Sequence, residues 1–131
     1  MAHVRFLVRA GLFPSLVFAL HCVLSLAFNA YAKLPWLDVV MHVLGGLAIA
    51  TFIDQGLRYL VKLEVLRLDG RAARSLMVFG LVAASTVFWE FAEFLADRLL
   101  DVGAQRSVAN VMKDQFFGLV GGCAYLVWAA K

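Results

Sequence analysis

Apolar residues fall in four long blocks separated by short polar stretches. The first runs from Gly11 to Ala32 without a charged residue. The second is continuous from Val39 to Ile53 and extends toward Val61. The third runs from Ser75 to about Ala96, and the fourth from Ser107 to Ala130. Long apolar blocks, rather than short alternations, point to helices in lipid. The pattern predicts transmembrane helices over residues 11–32, 38–61, 75–97 and 107–130. Each has roughly 20 residues, enough for ~30 Å of hydrocarbon at ~1.5 Å per residue. The expected architecture is all-α: a four-helix transmembrane bundle forming a single integral membrane domain over residues 1–131. Pro14 stands near the predicted start of the first helix, where proline is tolerated.

Composition supports lipid as the solvent. The chain is 63% hydrophobic and only 16% charged, against about a quarter charged in soluble domains. The charge-free parts of blocks two, three and four are only ~15 residues each, ~23 Å at helical rise. To span, these helices must carry charged residues into the membrane, facing protein or water. Arg5 and Arg9 followed by an apolar run ending in Ala30-Tyr31-Ala32 resemble a secretory signal. The run is long for a signal and His21 interrupts it, so a retained helix is expected. Cys22 and Cys123 both lie inside apolar blocks and read as small packing residues, not a disulfide.

The net charge of +3 reports topology rather than a nucleic-acid partner, since no basic patch interleaves with aromatics. Arg5, Arg9, Arg58, Lys62, Arg67, Arg71, Arg74 and Lys131 fall on one side, and Lys33, Arg98 and Arg106 on the other. The positive-inside rule then puts both chain ends and the middle loop in the cytoplasm. The chain is expected to cross its membrane several times. Leu57, Leu60, Val61, Val65 and Leu68 recur at helical spacing among the charges, predicting a short amphipathic helix on the inner surface. Gly45-Gly46 and Gly118-x-x-x-Gly122 suit close helix packing. Trp36 and Trp89 fit the outer boundary and Trp128 the inner one.

On this topology the charges inside the blocks converge. Asp38 and His42 are four apart at the outer end of the second helix. Glu90, Glu93 and Asp97 share one face of the third, and Asn110 and Asp114 one face of the fourth. His21, Ser25 and Asn29 form a polar stripe on the first. An unpaired charge near a helix centre costs ~2.5–3.5 kcal/mol on insertion scales, so these groups should share one pocket, open to the outside. Asp38, His42, Glu90, Glu93 and Asp114 would line it, with Asp97 and Asn110 at the rim and Arg98 and Arg106 nearby. Lys113 points away from Asp114 by about 100° of helix rotation and would snorkel outward. The inner half carries almost no polar residues beyond His21, Ser85 and Thr86.

A carboxylate-rich pocket with one histidine attracts a cation or holds shared protons. A divalent metal ion is the candidate cofactor, with His42, Glu90, Glu93 and Asp114 as its ligand set. Four readings follow. The pocket binds a cation or a cationic head group; the protein is a metal-dependent membrane hydrolase or transferase; it is an ion- or proton-coupled transport subunit, which would need an oligomer for a continuous path; or the network only ties helices together in a structural or partner-binding subunit. No nucleophile elbow, phosphate loop, His-Glu-x-x-His or Cys-x-x-Cys motif is present.

Asp38-x-x-x-His42 with Gly45-Gly46, then Trp89-Glu90-x-x-Glu93, then Asn110-x-x-x-Asp114 and Gly121-Gly122 resembles the YjdF-like family of small bacterial inner-membrane proteins. There an Asp-x-x-x-His helix precedes a Trp-Glu helix and a final helix with two aspartates four apart. A more remote likeness is to VanZ-like membrane proteins, a group associated with glycopeptide resistance. The resemblance covers roughly residues 36 to 124 and implies the fold and the pocket rather than a reaction. The sequence departs from the pattern at Asn110, which stands for the first aspartate, and at Gln105-Arg106-Ser107-Val108-Ala109, which replaces an acidic segment.

Overall fold

The computed structural model describes residues 1–100 and 107–131. Among these, the chain is helical and contains no strand. Helix α1 spans Ala2–Cys22 and continues into a π-helical turn, Val23–Ala27. A short α2, Ala30–Lys33, precedes α3, Trp36–Lys62. Helix α4 spans Gly70–Leu100 and α5 spans Val108–Ala129.

Three stretches are long and apolar enough to cross a membrane: His3–Ala27, Trp36–Lys62 and Gly70–Leu100. Helix α5 has 22 residues, ~33 Å at helical rise, but its first turns carry Asn110, Lys113, Asp114 and Gln115, which lower its hydropathy. Large apolar side chains face outward and polar ones inward. Phe88 is 70% exposed, whereas Asp114 is 1% and Asp54 2% exposed. That inversion suits a lipid surround, where burying apolar side chains brings no advantage and polar ones must be enclosed.

The helices extend past the apolar blocks that predicted them. Helix α1 begins at Ala2 rather than near residue 11, so Pro14 lies inside the helix and offers no N–H to Ala10. Helix α4 begins at Gly70 rather than residue 75. Hydropathy marks where lipid contact begins, and a helix continues beyond it for as long as its backbone bonds hold. The expected surface helix is not observed. Helix α3 runs through to Lys62, burying Leu57 in the core, and residues 63–69 form a loop with Glu64 at φ 58°. Val65 is exposed, while Leu66 and Leu68 pack back on the core of Ala50, Leu57, Val78, Val82 and Tyr125.

The α3–α5 contact rests on glycine, as expected. A Cβ at Gly46 would lie 1.9 Å from the Gly118 carbonyl oxygen, and one at Gly121 would lie 2.0 Å from that of Val43. The backbones touch there, and no larger residue fits. Gly118 and Gly122 seat Thr86 and Val82 of α4 in the same way. Gly45 differs: a Cβ there would meet nothing within 4 Å.

Candidate functional site

Asp38 and His42 lie one turn apart in the first turns of α3, and Asp114 faces them from α5 because the glycine contact draws these two helices together. His42 Nε2 is 3.6 Å from Asp38 Oδ1 and 3.8 Å from Asp114 Oδ1. One ligand atom from each of the three residues lies within 4.8 Å of the others. Asn110 donates its side-chain amide to Asp114 Oδ2, and the Ser107 hydroxyl accepts from the Asn110 backbone N–H, capping α5.

Lys113 does not snorkel outward. Its Nζ donates to Asp38 Oδ2 at 2.9 Å and to Asn110 Oδ1 at 3.0 Å, and stands 3.2 Å from Asp114 Oδ1. The rotation between positions 113 and 114 separates their Cβ atoms, but a four-carbon stem curls back across that gap when two carboxylates wait on the other side. Asp114 Oδ1 has ion-pair neighbours but no partner in hydrogen-bond geometry.

Helix α4 supplies the other carboxylates. Glu90 is 4% exposed, and its Oε2 has no hydrogen-bond partner among the described residues. Glu93 Oε1 accepts from Trp89 Nε1 at 2.8 Å. Both feel the charges of His42, Asp38 and Asp114. Glu90 and Glu93 therefore belong to the neighbourhood, but the trio whose ligand atoms come together is Asp38, His42 and Asp114. Asp97 is half-buried one turn beyond Glu93, and Arg98 lies over the Phe94 ring, 5.3 Å from its centroid. Gln105 and Arg106 lie outside the described residues.

The stripe expected on the first helix is interrupted. The π turn at Val23–Ala27 and Asn29 at φ 47° break the four-residue register, so Asn29 is exposed before α2. His21 turns elsewhere: its Nδ1 bonds the Tyr31 hydroxyl at 2.8 Å, and its ring meets Trp89 edge-on.

A second polar cluster, not anticipated from the sequence, lies toward the other end of α3 from Asp38 and His42. Asp54, within α3, is buried. Its Oδ2 accepts from Arg58 Nε at 2.9 Å and from the Tyr125 hydroxyl at 2.8 Å, and its Oδ1 lies 3.1 Å from Arg74 Nε. The only sequence signal was the i,i+4 spacing of Asp54 and Arg58. Asp54 is twelve residues from His42, roughly 18 Å along α3. The buried Ala48, Ala50, Val78 and Val82 separate the two clusters.

Between α1, α3 and α4 lies a cavity of about 420 Å³, lined by apolar side chains and, at one end, by His21, His42 and Glu90.

Residues 2–131 match the family described as "Predicted membrane protein (DUF2238)". The chain belongs to this family. A protein of Thermotoga maritima, named "Uncharacterized protein", is similar at 33% identity over 103 residues, 78% of this chain and 52% of that one. The chain thus spans about half the length of the curated relative it matches. No solved structure matches. The family is a membrane family, and membrane lipids are this protein's surroundings.

Proposed function

We propose that this membrane protein binds a cation, or the cationic end of a lipid-linked envelope component, at Asp38, His42 and Asp114. The observation that carries this reading is the convergence of two carboxylates, Asp38 and Asp114, on the ammonium of Lys113, with the His42 imidazole beside both carboxylates. Lys113 holds the place a ligand cation would take. It is about one-third exposed, and its flexible stem lets it swing out when a better cation arrives. Glu90 and Glu93 add negative field, while Asn110 fixes Asp114.

The resemblance to YjdF-like proteins and the eight-to-three division of basic residues support a bacterial inner membrane and four spans, α5 included. They also support both ends in the cytoplasm and a site in the outer half. A carboxyl-terminal alkaline phosphatase fusion should then be inactive and a fluorescent-protein fusion bright; the reverse would invert the topology.

The site is tested by titrating purified protein with zinc, manganese and methylammonium, beside an Asp38→Asn, Asp114→Asn double variant. Binding to the wild type that the variant loses by at least tenfold supports the reading. If the wild type binds none of the three, the reading fails and the cluster is a packing network.

A metal-dependent hydrolase or transferase is the second reading. One histidine and two carboxylates with ligand atoms within 4.8 Å fit a divalent metal. A bound metal would supply Lewis acidity and activate water. The Glu90 oxygen, buried and unpartnered, would be placed to take a proton. Zinc or manganese bound at one per chain, without turnover on any lipid-linked ester, would leave binding as the function.

A further inference from the structure

The cavity between α1, α3 and α4 has a shape that the polar cluster does not explain. Helix α1 packs along α3, but toward α4 it reaches only through side chains: Phe18 and His21 meet Trp89 edge-on, at ring-centroid distances of 6.0 and 5.4 Å. The space left beneath them measures about 420 Å³ and is partly open, within the range of small-molecule sites. Its walls include Val17, Phe18, Ile49 and Val82. Ser85 and Thr86 also line it, but their hydroxyls donate to their own helix, to Leu81 and Ala83 carbonyls. Gly45 borders it and keeps it clear, because a side chain there would enter open space.

At one end stands Glu90, with a buried oxygen that has no hydrogen-bond partner among the described residues. Buried carboxylate oxygens ordinarily find donors, so this one lacks a donor from outside the chain. The charges around it say which kind. Four carboxyl groups, Asp38, Glu90, Glu93 and Asp114, stand here against the single ammonium of Lys113, a balance that favours an ammonium over a carboxylate or phosphate.

We propose that this cavity holds the apolar chain of a single-chain amphiphile whose ammonium head group donates to Glu90. The inference deepens the cation-binding reading of the same site and rests on it. It adds that the ligand carries a hydrocarbon chain, that the chain lies between α1 and α4, and that Gly45 sets the room for it.

The test uses the full chain in phosphatidylcholine nanodiscs and a hexadecylamine bearing a mid-chain diazirine. After photolysis, the labelled residues are mapped by mass spectrometry. Labelling should fall on the walls named above and be displaced by unlabelled hexadecylamine, with palmitate at least tenfold weaker. Gly45→Leu should reduce labelling at least tenfold while zinc and methylammonium still bind. Should Gly45→Leu fail to fold, Gly45→Cys in a Cys22→Ala, Cys123→Ala background can be alkylated after purification to the same end. Equal competition by palmitate, or labelling unchanged by either block, overturns the proposal. Cation binding retained with chain labelling insensitive to Gly45 would remove the chain site alone. Loss of cation binding in the wild type itself would remove the head-group site and the reading beneath it.

Discussion

Lys113 reaches Asp38 across the α3–α5 seam, with Nζ 2.9 Å from Oδ2. The pair joins residues 75 positions apart and gives the acidic cluster an internal cation. If that ammonium occupies the ligand's place, removing it should expose the site. Lys113→Met is expected to raise affinity for zinc or manganese at least tenfold. It should also destabilise the protein by about 1–3 kcal/mol, the cost of leaving buried acceptors without a donor. Calorimetric titration and unfolding in detergent measure the two effects. A variant that binds metal no better than wild type would make Lys113 a ligand-independent clasp.

Gly46 and Gly121 predict where the bundle tolerates no side chain. Ala at either position drives a methyl into opposing backbone at about 2 Å, which cannot relax by rotating a side chain. Both variants should lose more than the ~1–3 kcal/mol typical of overpacking, seen as a large drop in thermal midpoint or as failure to insert. Gly45→Ala, in the same dipeptide, should change the midpoint little. Similar losses at Gly45 and Gly46 would contradict the packing.

Much of this was legible from spacing. Asp38–His42, Glu90–Glu93 and Asn110–Asp114 each share a helix face, and the cost of charge in lipid implies that they meet. The small-residue positions likewise pointed to the α3–α5 seam. What escaped depended on side-chain reach and on helix ends. Lys113 was assigned by the direction of its Cβ, but a long flexible stem decides where its charge goes. Asp54 sits at the edge of an apolar run, where a charge ordinarily marks exit from the membrane. Its burial follows from Arg74 and Tyr125, 20 and 71 residues further on. The π turn and Asn29 broke a four-residue stripe that assumed an uninterrupted α-helix.

Trp89 couples the aromatic roof to the acidic face. Its indole donates to Glu93, and its ring meets those of Phe18 and His21 edge-on. Trp89→Phe keeps an aromatic ring for those contacts and removes one hydrogen bond to a carboxylate, worth about 1.5–3 kcal/mol where charged and buried. Glu93 is only part-buried, so a loss at the low end is expected. Glu93→Gln alone should lose less, since its amide oxygen still accepts from Trp89. A double variant no worse than Trp89→Phe would show that the two act through one bond.

The Asp54 cluster gives the sharpest contrast between stability and binding. Asp54 collects Arg58, Arg74 and Tyr125, so Asp54→Ala strands two guanidinium groups and a phenol at once. Removing one partner of a buried ion pair costs ~3–5 kcal/mol. Arg58 is more than half exposed, and Arg58→Ala should cost under about 1 kcal/mol, as exposed pairs do. Roughly 18 Å of helix and an apolar layer lie between Asp54 and His42. A milder variant, Asp54→Asn, keeps an acceptor for Tyr125 and should leave cation affinity at Asp38, His42 and Asp114 within twofold of wild type while lowering the thermal midpoint. Loss of cation binding in a folded Asp54→Asn protein would mean that the two clusters are coupled, and would revive a transport path along the bundle.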